Sequence, residues 1–326
     1  MFSYRSILKQ SWNIAWRHKY LWLFGLFASI AAASGSFEYQ VLANGLQANA
    51  LENSYYHINS LLIVLSDIGS FLLGFVSLFS YDIFTIINTI TVLIITITLI
   101  VAFVWLSISS QAALVIGSKK LLLAKKKPAA LNLRETIAKG HQNFWPVLGL
   151  NVLIKLLIGL SLFVMSVPLL FLALKGSGYL AAIYTLAFVI FTPIVVSLSL
   201  IIKYAIAYNV LNHKSFTTSL KESLKLFMNN WLISVEMGVI LFIISFLVGF
   251  LILAIISIFI FPYLVFAANY GLAGLMVLLL IIALMLVLFI GSLLTTFQIS
   301  AWTGLFLELE EGRGQAKLER VFKKKG

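Results

Sequence analysis

Glu236 is the residue with the strongest claim to chemistry, because it stands inside an apolar run, "WLISVEMGVIL", with no basic neighbour in sequence. An acid embedded in a membrane span marks a functional site by default and calls for a partner. Lys155, at a similar depth in its own apolar run, and Lys203, near the end of another, are the bases that fit. With Gln111 and Gln298 they define a candidate intramembrane polar cluster that binds an anionic headgroup or relays a proton. The simpler account, which we favour, is a charge near a helix end snorkelling to the interface, or a structural ion pair.

Other chemistries lack their residues. Cysteine is absent, which removes thiolate catalysis, disulfides and Cys-ligated metal. His18, His57, His141 and His213 are scattered, without metal-ligand spacing. The chain carries no phosphate-cradling P-loop, no G-x-S-x-G elbow, no H-E-x-x-H and no paired carboxylates in a polar loop. We therefore expect no catalytic residue, no metal, no cofactor and no enzymatic activity.

What positions such a cluster is a membrane. Hydrophobic residues make up 61% of the chain and charged residues 10%, against roughly 25% charged in soluble domains. From Glu236 to Glu308 there is no charge between the two acids, room for two spans of about 20 residues each. Asp82 to Lys119 and Lys175 to Lys203 enclose further uncharged stretches. These runs do not alternate apolar with polar, so helices and not barrel strands satisfy their backbone. Proline is tolerated in such helices; Pro193 lies mid-span, Pro168 and Pro262 toward outer ends.

The net charge of +12 is carried in clusters: Arg5 to Lys19, Lys119 to Lys139, Lys203 to Lys225, and Arg313 to Lys325. Two crossings between successive clusters put all of them on one side, which the positive-inside rule makes the cytoplasm. Bases spread along membrane-proximal segments also exclude nucleic-acid binding. Segment 58–80, "INSLLIVLSDIGSFLLGFVSLFS", is apolar enough to be considered, but a crossing there would carry Lys119 to Lys127 to the wrong side. It is expected to be re-entrant or peripheral, within an extracytoplasmic insertion 35–82. Six spans remain, with both termini cytoplasmic.

The chain also repeats itself. "KQSWNIAWRHKYL" from Lys9, "RETIAKGHQNFWP" from Arg134 and "KESLKLFMNNWLI" from Lys221 align without gaps. Each has a base, a polar residue, a hydroxyl (Ser11, Thr136, Ser223) and a large apolar residue (Trp12, Ile137, Leu224); His18, Asn143 or Asn230 and an aromatic follow. Tyr4, Leu8, Trp12 and Trp16, like Phe216, Leu220, Leu224 and Met228, fall at a spacing of four, one stripe of a helix with Lys and Ser elsewhere. A basic amphipathic helix of this kind lies in the interface, anchored by Trp12, Trp16, Trp145 and Trp231. Downstream, Gln111, Lys203 and Gln298 are each followed six residues later by Gly117, Asn209 or Gly304.

The expected architecture is therefore all-α: a polytopic transmembrane bundle of three hairpins, each led in by a cytoplasmic interfacial helix. The repeats run about 3–117, 128–209 and 215–304 within one domain, 1–307, ahead of a basic cytoplasmic tail, 308–326. A cleaved signal peptide ending near "ASIAAAS" is the rival reading of the N-terminus; the match of its first residues to two internal segments argues against it.

"SWNIAWRHKYLWLFGLF" and the recurring "NFW" or "NNW" step resemble the membrane domain fused to some bacterial glycerophosphoryl diester phosphodiesterases, over roughly 3–307. In those proteins a separate soluble domain carries hydrolysis with His, Arg and Glu around a metal. Nothing here matches that domain, so the resemblance implies no catalytic residue. The sequence points to a non-enzymatic module of the cytoplasmic membrane that interacts with anionic lipid headgroups, scaffolds a protein partner or assembles with itself. The alternative is a small-molecule or ion transporter built around Glu236.

Overall fold

A computed structural model describes residues 4–32, 82–124, 133–175 and 178–312. Segment 58–80, the insertion 35–82 up to Tyr81, Lys125 to Lys127 and the tail beyond Gly312 lie outside the described residues. The secondary structure described is entirely helical: α1 (Tyr4–Arg17), α2 (Leu21–Ala32), α3 (Ile83–Leu123), α4 (Leu133–Gln142), α5 (Phe144–Lys175), α6 (Gly178–Asn212), α7 (Phe216–Asn229), α8 (Trp231–Ile255), α9 (Phe261–Asn269) and α10 (Ala273–Glu310).

Among the described residues, five stretches are long and apolar enough to cross a membrane: Ile83–Leu123, Phe144–Ser161, Val189–Asn212, Trp231–Asn269 and Ala273–Glu310. Trp231–Asn269 joins α8 to α9 through a π-helical turn, Ile256–Ile260. Pro262 follows at once; it has no N–H to continue the α ladder, and a widened turn is the local answer. Of the first of the six expected spans, the structure describes α2, to Ala32.

The described chain divides into two compact units. One holds the part of α3 before Leu106 with Val152–Ser199. Here α3 is rich in β-branched residues and is nonetheless helical, because a helix satisfies all its backbone groups within the segment, and its threonines spend their hydroxyls on the same helix. Thr89, Thr91, Thr96 and Thr98 donate to the carbonyls of Thr85, Ile87, Val92 and Ile94 at 2.7–2.9 Å. That bond hides a polar group where no water is available to take it.

The other unit holds α1, α2, Leu106–Asn151 and everything from Leu200 onward. At its centre α3, α6 and α10 touch one another. Ser118 and Ser300 hydroxyls meet at 2.8 Å, Lys119 Nζ donates to Leu211 O at 3.4 Å, and Tyr208 packs edge-on to Phe306 at 4.8 Å. Tyr204, Phe306, Leu114, Leu200 and Leu305 fill this core and are fully buried.

Candidate functional site

Around that core the helices meet along seams. Where α3 meets α5, Asn151 Nδ2 donates to Gln111 Oε1 at 2.8 Å and to Val147 O at 2.8 Å. Where α6 meets α8, the Tyr204 and Ser234 hydroxyls lie 2.8 Å apart, both buried. Where α10 meets α2, Ser292 Oγ donates to Trp22 O, and Thr296 Oγ1 reaches Leu21 O at 3.3 Å. At Gly25, in that last seam, any Cβ would overlap Thr296 Oγ1 and the backbone oxygen of Ser292.

Glu236 is half-buried on α8 and accepts a hydrogen bond from the Tyr4 hydroxyl of α1 at 2.5 Å. Lys203 is half-buried on α6, with Nζ 5.0 Å from the ring centroid of Trp302 on α10, a cation–π distance. Both charges make further contacts, so neither is stranded in the apolar unit. Gln298 is half-buried and donates to Ser245 Oγ at 2.5 Å. Gln111 is taken up by Asn151, at a different seam. Lys155 is exposed on the part of α5 that belongs to the other unit. Of the expected cluster, Glu236 is met by Tyr4 of α1 and Lys203 by Trp302 of α10, whereas Gln111 and Gln298 have local amide or hydroxyl partners. Among the described residues, no group of three metal-ligating side chains occurs.

The short helices α1, α4 and α7 stand where the repeated segments begin. Their burial follows one rule. Ser11, Thr136 and Ser223 are buried at 0%, 4% and 0% exposure, while the next residues, Trp12, Ile137 and Leu224, are 50%, 47% and 46% exposed. One turn after the hydroxyl, Ala15, Gly140 and Phe227 are buried as well. The side facing the protein thus sets hydroxyls and small residues beside Ile7, Ile14 and Phe227, while Trp12, Trp16, Ile137, Leu224 and Met228 face outward. Close approach explains the small residues: a Cβ on Gly140 would stand 2.5 Å from Ser109 O of α3. One on Gly304 would stand 3.1 Å from Ile7 Cγ2 of α1. The anchors are outward too, with Trp16, Trp145 and Trp231 at 53%, 76% and 57% exposure.

Charge is handled differently on each short helix. On α4, Glu135 holds Lys139 at 2.9 Å and Lys120 of α3 at 3.7 Å. The hydrogen bond from Lys139, aided by the charge of Lys120, keeps its carboxyl below the usual range. Ahead of α7, Lys214 pairs with Glu222 and sits over the Tyr208 ring at 4.6 Å. After α1, partial burial and then the neighbouring Arg17 hold His18 below its ordinary value. Its Nδ1 is 3.0 Å from the Tyr20 hydroxyl.

Several of these residues escape sequence reasoning. Tyr4 is a partner for Glu236 from 232 residues away, and nothing local signals it. The buried hydroxyls did leave a signal, since Ser219 and Ser223 lie four apart on a different side of the helix from the apolar stripe. That pattern marks close helix contacts in membranes, where small and hydroxyl residues take the place of bulky apolar ones.

With described residues that form helices alone, five such stretches among them, and polar side chains settled at helix seams, the chain is an integral membrane protein of the polytopic α-helical class. Comparison with protein-family models, curated proteins and solved structures returns no match.

Proposed function

We propose a non-enzymatic module of the cytoplasmic membrane, built of three repeated hairpins that close into a pseudo-threefold ring. In this reading α2 starts the first of six crossings, both termini are cytoplasmic, and α1, α4 and α7 lie on the inner leaflet. The module holds anionic lipid there and offers a platform to a protein partner or a second copy. The single observation that carries the reading is the shared burial rule of α1, α4 and α7: hydroxyl inward, large apolar residue outward at half exposure. A soluble helix turned that way would hold its apolar stripe in water; at a headgroup boundary the stripe is in its proper solvent.

The seams support the ring. The second span of one hairpin meets the first span of the next in every case: α3 on α5, α6 on α8, and α10 back on α2. Tyr4 and Phe216 occupy the same step of the repeat, five residues before Lys9 and Lys221. Their neighbours, Glu236 and Gly149, also share a step: a Cβ on Gly149 would be 3.2 Å from the Phe216 ring. Local pairing of Gln111 and Gln298 favours this reading over transport through one polar cluster around Glu236. Kinship with the membrane domain of the phosphodiesterase type is part of the proposal and rests on "SWNIAWRHKYLWLFGLF" and the recurring "NFW" and "NNW" steps.

The cysteine-free chain makes the test direct. Spin labels on Trp12→Cys, Ile137→Cys and Leu224→Cys, one at a time in nanodiscs, are expected at one depth near the headgroup boundary, accessible to oxygen. Any one of them in bulk water overturns the reading. For topology, Lys126→Cys should react with an impermeant maleimide only from the cytoplasm, and Asn49→Cys only from outside.

A further inference from the structure

Among α1, α4 and α7, only α1 carries bases and no acid of its own. No Asp or Glu precedes Glu38 in the chain. Arg5 and Lys9 are exposed and make no ion pair among the described residues. On α4 and α7, by contrast, Glu135 and Glu222 are engaged with lysines. Arg5, Lys9, Trp12 and Trp16 follow at steps of four, three and four, so they share one flank of the helix.

That flank continues into an aromatic wall. The Trp12 and Trp16 rings stack at 5.9 Å with 14° between their planes, and Trp16 lies 6.2 Å from Trp22. Trp22 meets Phe289 of α10 edge-on at 4.9 Å, and Trp12 meets Phe297 at 6.0 Å. The Trp22 indole N–H is spent on Ala15 O at 2.6 Å. Those of Trp12 and Trp16 make no hydrogen bond among the described residues. Two cations and two indole donors therefore stand at one end of a rigid apolar surface that runs on to Phe289, itself 53% exposed.

We infer that this flank of α1, with Trp22 and Phe289, is a binding site for a single phospholipid whose headgroup bears a net negative charge. Arg5 and Lys9 take the phosphate and its charge, the two indoles donate to headgroup oxygens, and an acyl chain lies along Trp22 and Phe289. The stacked rings have little rotamer freedom left to lose, which lowers the ordering cost of binding. Charge complementarity selects the occupant, since a zwitterionic headgroup brings no net charge to two unpaired bases. The inference rests on the interfacial reading of α1 given above.

The test uses the full chain in nanodiscs of equimolar phosphatidylglycerol and phosphatidylcholine, with retained lipid counted by native mass spectrometry. Two bases near the surface correspond to about a thirtyfold preference for phosphatidylglycerol. The double variant Arg5→Gln/Lys9→Gln should bring that preference near parity, and Trp12→Leu/Trp16→Leu should weaken retention of both lipids. The control Lys221→Gln/Lys225→Gln removes the same charge from α7 and should leave the preference in place. Equal loss in the control and the α1 variant would overturn the site in favour of diffuse attraction. Displacement of the lipid by millimolar inorganic phosphate would do the same, because a bare anion site needs no chain. If a label on Trp12→Cys reports the interface while no preference is found, the site falls and the interfacial reading stands; a label in water removes both.

Discussion

Where α2 meets α10, Gly25 lets the two backbones close until serine and threonine hydroxyls of one helix reach carbonyls of the other. Where α3 meets α5, the helices are joined instead by an amide pair, Gln111 with Asn151, at side-chain distance. Both seams join a second span to the first span of another hairpin in the proposed ring. In lipid there is no hydrophobic gain in bringing two apolar helices together, so contact rests on close packing or on polar glue. The first seam uses packing and the second uses glue. Each should therefore fail to a different insult.

The largest effect belongs to Gly25. The backbone oxygen of Ser292 fills the place of a Cβ, and no change of rotamer removes it. Gly25→Ala should cost about 1–3 kcal/mol, the usual range for overpacking, and Gly25→Leu more than that. Reversible unfolding in mixed micelles measures the first, and loss of the monodisperse peak in size-exclusion chromatography reads the second. Gly249, with nothing within 4 Å of a Cβ, is the control; Gly249→Ala should leave stability unchanged or slightly raised. Equal behaviour of the two alanine variants would show that the α2/α10 seam is not close-packed.

The amide seam sets the next magnitude. Asn151→Leu leaves Gln111 without its donor, and membrane side-chain hydrogen bonds average about 0.6 kcal/mol with a ceiling near 1.7. Asn151 is 5% exposed and Gln111 is half-buried, so the orphaned Gln111 oxygen keeps partial access to other partners and the cost should fall within that range. The double variant Gln111→Leu/Asn151→Leu should recover most of it, and a double-mutant cycle reads the coupling. Additive losses would mean that the pair carries no energy of its own. Tyr204→Phe, at the α6/α8 seam, should cost less, because Ser234 keeps its bond to Asn230 O at 2.9 Å.

Seams of this sort are only partly legible in a sequence. The long apolar helices are plain, since uncharged runs leave few alternatives in a bilayer. The alignment of Lys9, Arg134 and Lys221 finds the three short helices, and the chain turns into its next helix at Leu21, Phe144 and Trp231. The outward stripe of Trp12, Ile137 and Leu224 follows from periodicity too. Burial of Ser11 and Ser223 was readable in principle; soluble habits assign a serine to the solvent side, whereas here the protein side is the one that needs small residues. Partner choice is another matter. Glu236 finds Tyr4, and Gln111 finds Asn151, only because helices far apart in sequence are neighbours in space. Periodicity within one helix carries no information on which helix lies beside it.

The smallest effect separates the two seams by pH. Next to the amide seam, α4 packs on α3 through Gly140, and Glu135 ties Lys139 of its own helix to Lys120 of α3. The carboxyl is held below its ordinary value by the hydrogen bond from Lys139 first and the charge of Lys120 second. A depressed acid contributes stability that is present above its unfolded value, 4.5 here, and is lost as pH falls through the lower folded value. Glu135 is solvent-exposed, so the loss should loosen α4 without unfolding the bundle. A spin label on Ile137→Cys should gain mobility in acid below the ordinary carboxylate range and regain order on return to neutrality. The same titration with the label on Asn13→Cys should be flat across that window, because α1 has no acid of its own to protonate and meets Glu236 at Tyr4, more than two turns from Asn13. Raised salt should mimic acid at Ile137 and not at Asn13, since screening weakens an exposed ion pair as protonation does. If both labels respond alike, the ion pairs of α4 are incidental and the difference between the seams lies in packing alone.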